Sequence, residues 1–218
     1  MRHIKRFSEP KILVQKKNEW TKKFIASGKK RPDNSKYGHQ EIKAILFTMS
    51  HNKCYYCEGL LKGNRKEIDH FIEVSENKYL AFKWTNLFLS CDNCNDKIPN
   101  RNLSVNDVLN PCEDTDDEIE KHLSFEGEQI TFLTDKGNNT IKKFRLSTER
   151  LDYLRMKQLQ IFTEKLITIQ KLMIQDGRKM SETEKESLKH FAKADGRYSL
   201  MFAKYLKKHH QVNMHRVR

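Results

Sequence analysis

Apolar residues recur at helical spacing in three stretches of the chain. Trp20 and Phe24 lie four apart and predict a short helix over 18–25, with Pro10 barring a longer one upstream. Ile42, Ile45 and Leu46 form the stripe of a helix over about 39–49. Leu151, Leu154, Ile161, Phe162, Leu166, Ile169 and Met173 follow a period close to 3.6, so everything after about Ser147 reads as helix. Asp176-Gly177 stops that helix, Ser181 to Glu184 is a capping box for the next, and Asp195-Gly196 breaks the chain before a final basic helix.

Between these helical stretches the pattern shortens. Glu67 to Val74 alternates as a strand does, and Leu87-Phe88-Leu89 reads as buried structure. Glu58-Gly59 and Gly63-Asn64 are turn signals, and 94–97 reads as a helix start or a tight knuckle. Six of the eight residues Glu113–Glu120 are acidic, which suits the front of a surface helix. Leu123–Phe132 and Thr140–Leu146 are expected to be strands flanking a turn at Lys136-Gly137-Asn138-Asn139. The expected architecture is α+β and mainly helical. It divides into a basic N-terminal region and cysteine-containing core (1–110), an acidic linker and β-hairpin (111–146), and a C-terminal helical region (147–218).

Composition narrows the class. Hydrophobic residues are 37% of 218 and mean hydropathy is −0.83, so the core is lean. No stretch approaches a membrane span, and the basic N-terminus lacks the apolar segment of a secretory signal. The expected compartment is therefore cytoplasmic, where five cysteines stay reduced. Net charge is +13, with twelve Lys or Arg against three acids in residues 1–40 and six against none in 197–218. Such excess points to a polyanionic partner held through phosphates.

The chemistry sits between two matched cysteine pairs, Cys54-x-x-Cys57 and Cys91-x-x-Cys94, separated by 33 residues. Each pair puts two thiolates on one turn, and together they complete a tetrahedral structural zinc site. Asp69-His70 lies between them, with Asn86 and Asn95 downstream. A histidine near its ordinary pKa can take a proton at neutral pH, and carboxylate and amide oxygens suit a hard cation. This combination is what metal-assisted cutting of a phosphodiester requires. Lys97 has two readings, a phosphate contact or a solvated helix residue.

Cys54-x-x-Cys57, Asp69-His70, Trp84-x-Asn86 and Cys91-x-x-Cys94-Asn95-x-Lys97 together resemble the HNH nucleases, whose core is a zinc-stapled ββα-metal unit. The resemblance implies that His70 is the general base, that Asp69 and Asn95 hold Mg²⁺ or Mn²⁺, and that Asn86 orders the loop between the strands. Met1–Arg6 with Glu9-Pro10, Cys54-Tyr55-Tyr56-Cys57-Glu58, Ile68–Phe71, Phe125–Glu128 and Thr140–Leu146 further resemble the PtuB family of Septu-type anti-phage defence. That implies a PtuA-like ATPase partner, and in retron-linked versions a reverse transcriptase with its RNA–DNA product. No P-loop is present in this sequence. Glu73 departs from the proline that relatives often carry there. The residues leave open DNA or structured RNA as substrate, and a non-catalytic zinc module that binds nucleic acid.

Overall fold

No helix runs through Pro10, as expected, and the first helix starts directly after it. The computed structural model describes residues 1–61 and 67–214, the side chains of 209–214 apart, so the expected turn at Gly63-Asn64 and the end of the basic tail lie outside the described residues. α1 spans Lys11–Ala26 with Pro10 as N-cap, where a missing N–H costs nothing. Its open backbone donors are met from another helix: Glu41 accepts from Lys11 N at 2.6 Å and Ile12 N at 3.3 Å. The expected helix over 18–25 is thus the second half of a longer one.

A short α2 (Asn34–Tyr37), capped by Asp33, follows α1 after a short basic stretch, and α3 (Gln40–Met49) delivers the chain to the first cysteine pair. β1 (Glu67–His70) pairs antiparallel with β2 (Leu87–Ser90), placing Asp69 opposite Phe88 and His70 opposite Leu87. The strand ends at His70, well short of Val74, and the chain then loops back to β2. α4 (Asp92–Asn95) follows directly. Strand, strand and helix together make the expected ββα unit.

The acidic run does front a helix, α5 (Asp116–His122), with Thr115 accepting from Glu118 N. β3 (Leu123–Glu126) and β4 (Gln129–Phe132) then form a hairpin whose turn uses Gly127 at φ +60°. The expected strand over Thr140–Leu146 is instead the end of α6 (Asp135–Lys143) and the turn after it. Two causes explain the difference. Thr134 caps the helix by accepting from Gly137 N at 3.2 Å. Gly137 serves close approach, because a Cβ there would stand 2.0 Å from the His122 carbonyl oxygen. α7 (Glu149–Gln175), α8 (Glu182–Lys189) and α9 (Ser199–Met214) complete the fold, and the capping box at Ser181 and Glu184 is present.

One cluster of buried side chains runs from Met1 through β1 and β2 to Leu200 and includes Ile119, Leu123, Ile130, Ile141 and Phe144. The 111–146 segment therefore shares the core of the cysteine region. Its centre is an aromatic block: Tyr56 stacks on Phe144 with ring centroids 4.0 Å apart, and Phe71 on Phe88 at 4.8 Å. Each such ring contributes roughly 1.5–3 kcal/mol by leaving water. A second cluster, built on Phe162, Ile169, Leu188 and Phe202, joins α7 to α8 and α9. Among the described residues no helix is long and apolar enough to cross a membrane.

Candidate active site

The four cysteines converge as their spacing requires. Cys54 and Cys57 lie on the turn after α3, Cys91 closes β2 and Cys94 sits on α4; their sulfurs all fall within 4.8 Å of one another. Cys57 Sγ and Cys91 Sγ are 3.8 Å apart. A tetrahedron with Zn–S bonds of about 2.3 Å has edges of about 3.8 Å, so the donor set fits zinc. Four largely buried sulfurs this close cannot all ionise unless a cation neutralises them. The turn is tied to the strands through Tyr55 N donating to Leu89 O at 2.9 Å, and its tightness uses Glu58 at φ +61°.

β1 then sends consecutive side chains to opposite faces. His70 faces a cleft of about 480 Å³ whose other wall is the chain between α1 and α3, including Lys30, Arg31 and Tyr37. The imidazole is fixed on two sides. Its Nε2 lies 2.9 Å from the Ala81 carbonyl, and its ring meets Tyr37 edge-on with centroids 4.9 Å apart. A carbonyl only accepts, so Nε2 carries the hydrogen and Nδ1 keeps its lone pair. Burial holds the His70 pKa below its ordinary value, so the ring is neutral at neutral pH.

Asn86 secures the loop from which Ala81 comes. Its buried amide accepts from Ile72 N at 2.8 Å and donates to Ile72 O at 3.0 Å and Leu80 O at 3.2 Å. One side chain thus ties the chain just after His70 to the chain just before Ala81. Asn95 is exposed at the end of α4, and its backbone N–H donates to Cys91 O at 2.9 Å, so the cysteine turn sets its direction.

Asp69 points inward, 5% exposed. Lys97 Nζ lies 2.9 Å from each of its carboxylate oxygens, and Tyr56 donates to it at 2.6 Å. The same ammonium donates to the carbonyls of His70 at 2.5 Å and Phe71 at 3.0 Å. Lys97 is therefore neither a solvated helix residue nor free for a phosphate in this arrangement. A carboxylate and an amide are the right donors for Mg²⁺ or Mn²⁺. Here, however, Asp69 is committed to Lys97, and the pair does not fit a cation as it stands. Ala81 and Tyr37 escaped the sequence reading, the first because it acts through its backbone and the second because only the tertiary fold brings it to His70.

Residues 54–101 match the family described as HNH endonuclease. The chain contains an HNH domain. The match begins at the first zinc cysteine and takes in β1, β2, α4 and every candidate site residue from Asp69 to Lys97. The chain is also similar to two proteins named Septu protein PtuB. One, from Bacillus thuringiensis, is 31% identical over 177 residues, covering 79% of this chain and 64% of the relative. The other, from Bacillus mycoides, is 29% identical over 175 residues, covering 65% of this chain and 57% of the relative. The chain thus spans about three-fifths of the length of each. Outside the HNH domain lie the elements that frame it: α1 to α3 on the cleft side, and α5 to α9 beyond.

Proposed function

We propose that this chain is the nuclease of an anti-phage defence system, hydrolysing phosphodiester bonds of nucleic acid, DNA in the first instance. One observation carries the reading: a neutral, half-buried histidine with Nδ1 unprotonated and Nε2 held by a carbonyl, facing a cleft that also presents basic side chains. His70 Nδ1 removes a proton from the attacking water as its oxygen bonds to phosphorus. The P–O bond to the leaving group breaks, and that oxygen takes up a proton from solvent. Asn86 and Ala81 keep the imidazole from turning, which preserves the one tautomer that works as a base.

A divalent cation, when bound, supplies charge neutralisation at the phosphate. Asn95, exposed on the cleft, would be its first donor, and Asp69 would be a second only if released from Lys97. The PtuB relatives support a PtuA-like ATPase as partner. The C-terminal helices are its proposed docking region. On α7, Tyr153, Met156, Ile167 and Ile174 are all exposed large apolar residues at helical spacing.

The deciding experiment pairs zinc-loaded wild type with His70→Ala. Each is incubated with Mg²⁺ or Mn²⁺, supercoiled plasmid and total cellular RNA, with and without the ATPase. The expected result is cleavage by wild type and a loss of about 100-fold or more in the variant, with zinc retained. Binding without cleavage in every mixture would overturn the nuclease reading and leave a zinc-containing binding module.

A further inference from the structure

Lys30 and Arg31 stand across the cleft from His70, in a segment that the HNH domain does not include. Their mounting is firm at both ends. Gly28, at φ +65°, ends α1 by turning the chain out of the helix, and Asp33 starts α2 by accepting from Ser35 N at 2.9 Å. Pro32 stiffens the short span between.

This strap is also tied to the loop that holds the base. Trp20 and Phe24 of α1 pack edge-on against Phe82, with centroids at 5.6 and 6.3 Å, and Phe82 follows the Ala81 whose carbonyl meets His70. At the other end Tyr37 touches the imidazole itself. Burial and then the Glu67 carboxylate raise the pKa of the Tyr37 phenol, and the charge of Arg31 opposes them.

The charge pattern of the cleft is asymmetric. Lys97 is spent on Asp69, and Glu73 is spent on Lys143 and on Asn100 N. Lys30 and Arg31 are exposed, and neither has an ion-pair partner among the described residues. Two free cations facing a general base have one obvious complement, a phosphate next to the one being cut.

Resting on the nuclease reading, we propose that Lys30 and Arg31 form a phosphate clamp. It grips the nucleic-acid backbone beside the scissile phosphate and sets that phosphate against His70, irrespective of base sequence. Both side chains are exposed, so their loss leaves the fold and the zinc site intact.

The test is Lys30→Ala/Arg31→Ala against a charge-matched control, Lys165→Ala/Lys171→Ala on the exposed side of α7. Binding of a labelled duplex is measured without added divalent metal over a series of KCl concentrations. The clamp variant is expected to bind on the order of tenfold more weakly, with the slope of log K against log [KCl] reduced by about 2. The control is expected to keep both values near wild type. In cleavage assays the clamp variant is expected to show raised KM with kcat at saturation little changed.

An unchanged salt slope and KM in the clamp variant, with wild type cutting normally, would overturn the clamp alone. A reduced slope with no cleavage by wild type would uphold the clamp and overturn the nuclease reading. Failure of wild type to bind any duplex or single strand would overturn both.

Discussion

Lys97 Nζ sits 2.9 Å from both carboxylate oxygens of Asp69, and the two side chains are 4% and 6% exposed. The ammonium thus lies on the carboxylate expected to face a catalytic cation, while two further bonds from it hold the backbone of His70 and Phe71. Removing one partner of a buried pair strands the other charge, which costs about 3–5 kcal/mol. Lys97→Met is expected to destabilise by about that much in urea unfolding. Lys97→Met/Asp69→Asn should recover most of the loss, since neither member is then left charged and unpaired. Mg²⁺ or Mn²⁺ should raise the melting temperature of Lys97→Met more than that of wild type, because the emptied carboxylate can accept a cation. Equal shifts in the two proteins would show that the cation does not use Asp69.

His70 gives a pH dependence of defined sign. Burial lowers its pKa from the ordinary value of 6.5. The unfolded chain therefore takes up the proton first as pH falls. His70 favours the folded state fully above pH 6.5, and that contribution is lost progressively between 6.5 and the lower folded value. For catalysis the base stays unprotonated below 6.5, so the acid limb of kcat/KM is expected to have its midpoint under 6.5. A midpoint at or above 6.5 would mean that another group, or a protonated histidine, controls the rate.

The convergence of the four cysteines and the placing of His70, Asn86 and Asn95 on or beside the ββα unit were legible in the sequence because that geometry is local or set by two adjacent turns. The ends of the helices were less so: α1 begins where Pro10 allows, but its cap comes from Glu41, 30 residues away. Lys97 could not be placed, since nothing in Asn95-Asp96-Lys97 says that the lysine turns inward. Glu73 read as a missing proline and as an acid flanking the site, with nothing to separate a site role from a solvated one. In the fold it meets Lys143 at 3.3 Å and Asn100 N at 3.2 Å, so it ties α6 to the loop after β1. Lys30 and Arg31 were visible as charge, and only the packing of α1 on Phe82 turns that charge toward a base.

Gly137 was misread as a turn residue, and its true role is testable. Glycine to alanine inside a helix ordinarily stabilises by about 0.5–1 kcal/mol. At this position the new Cβ would lie 2.0 Å from His122 O and 2.9 Å from His122 C, both backbone atoms that cannot step aside cheaply. Gly137→Ala is therefore expected to lower stability, by about 1–3 kcal/mol, as overpacking does. A stabilised variant in urea unfolding would show that α6 and the end of α5 have room to separate.

Zinc should hold more than the HNH domain. Glu58, the residue after Cys57, accepts from Ser199 N at 3.1 Å, Ser199 Oγ at 2.5 Å and Leu200 N at 3.3 Å, at the start of α9. Lys53, the residue before Cys54, donates to the carbonyls of Ala194 and Gly196. The turn that carries two of the thiolates is therefore also the socket for the chain between α8 and α9. Cys57→Ser is expected to lose tightly bound zinc, because a structural site draws its folding energy from all four ligands. Amide hydrogen exchange should then rise at 54–61 and, together with it, at 194–200, about 140 residues away in sequence. Faster exchange at 54–61 with 194–200 still protected would show that the C-terminal helices hold their position through the Phe162 and Phe202 cluster alone.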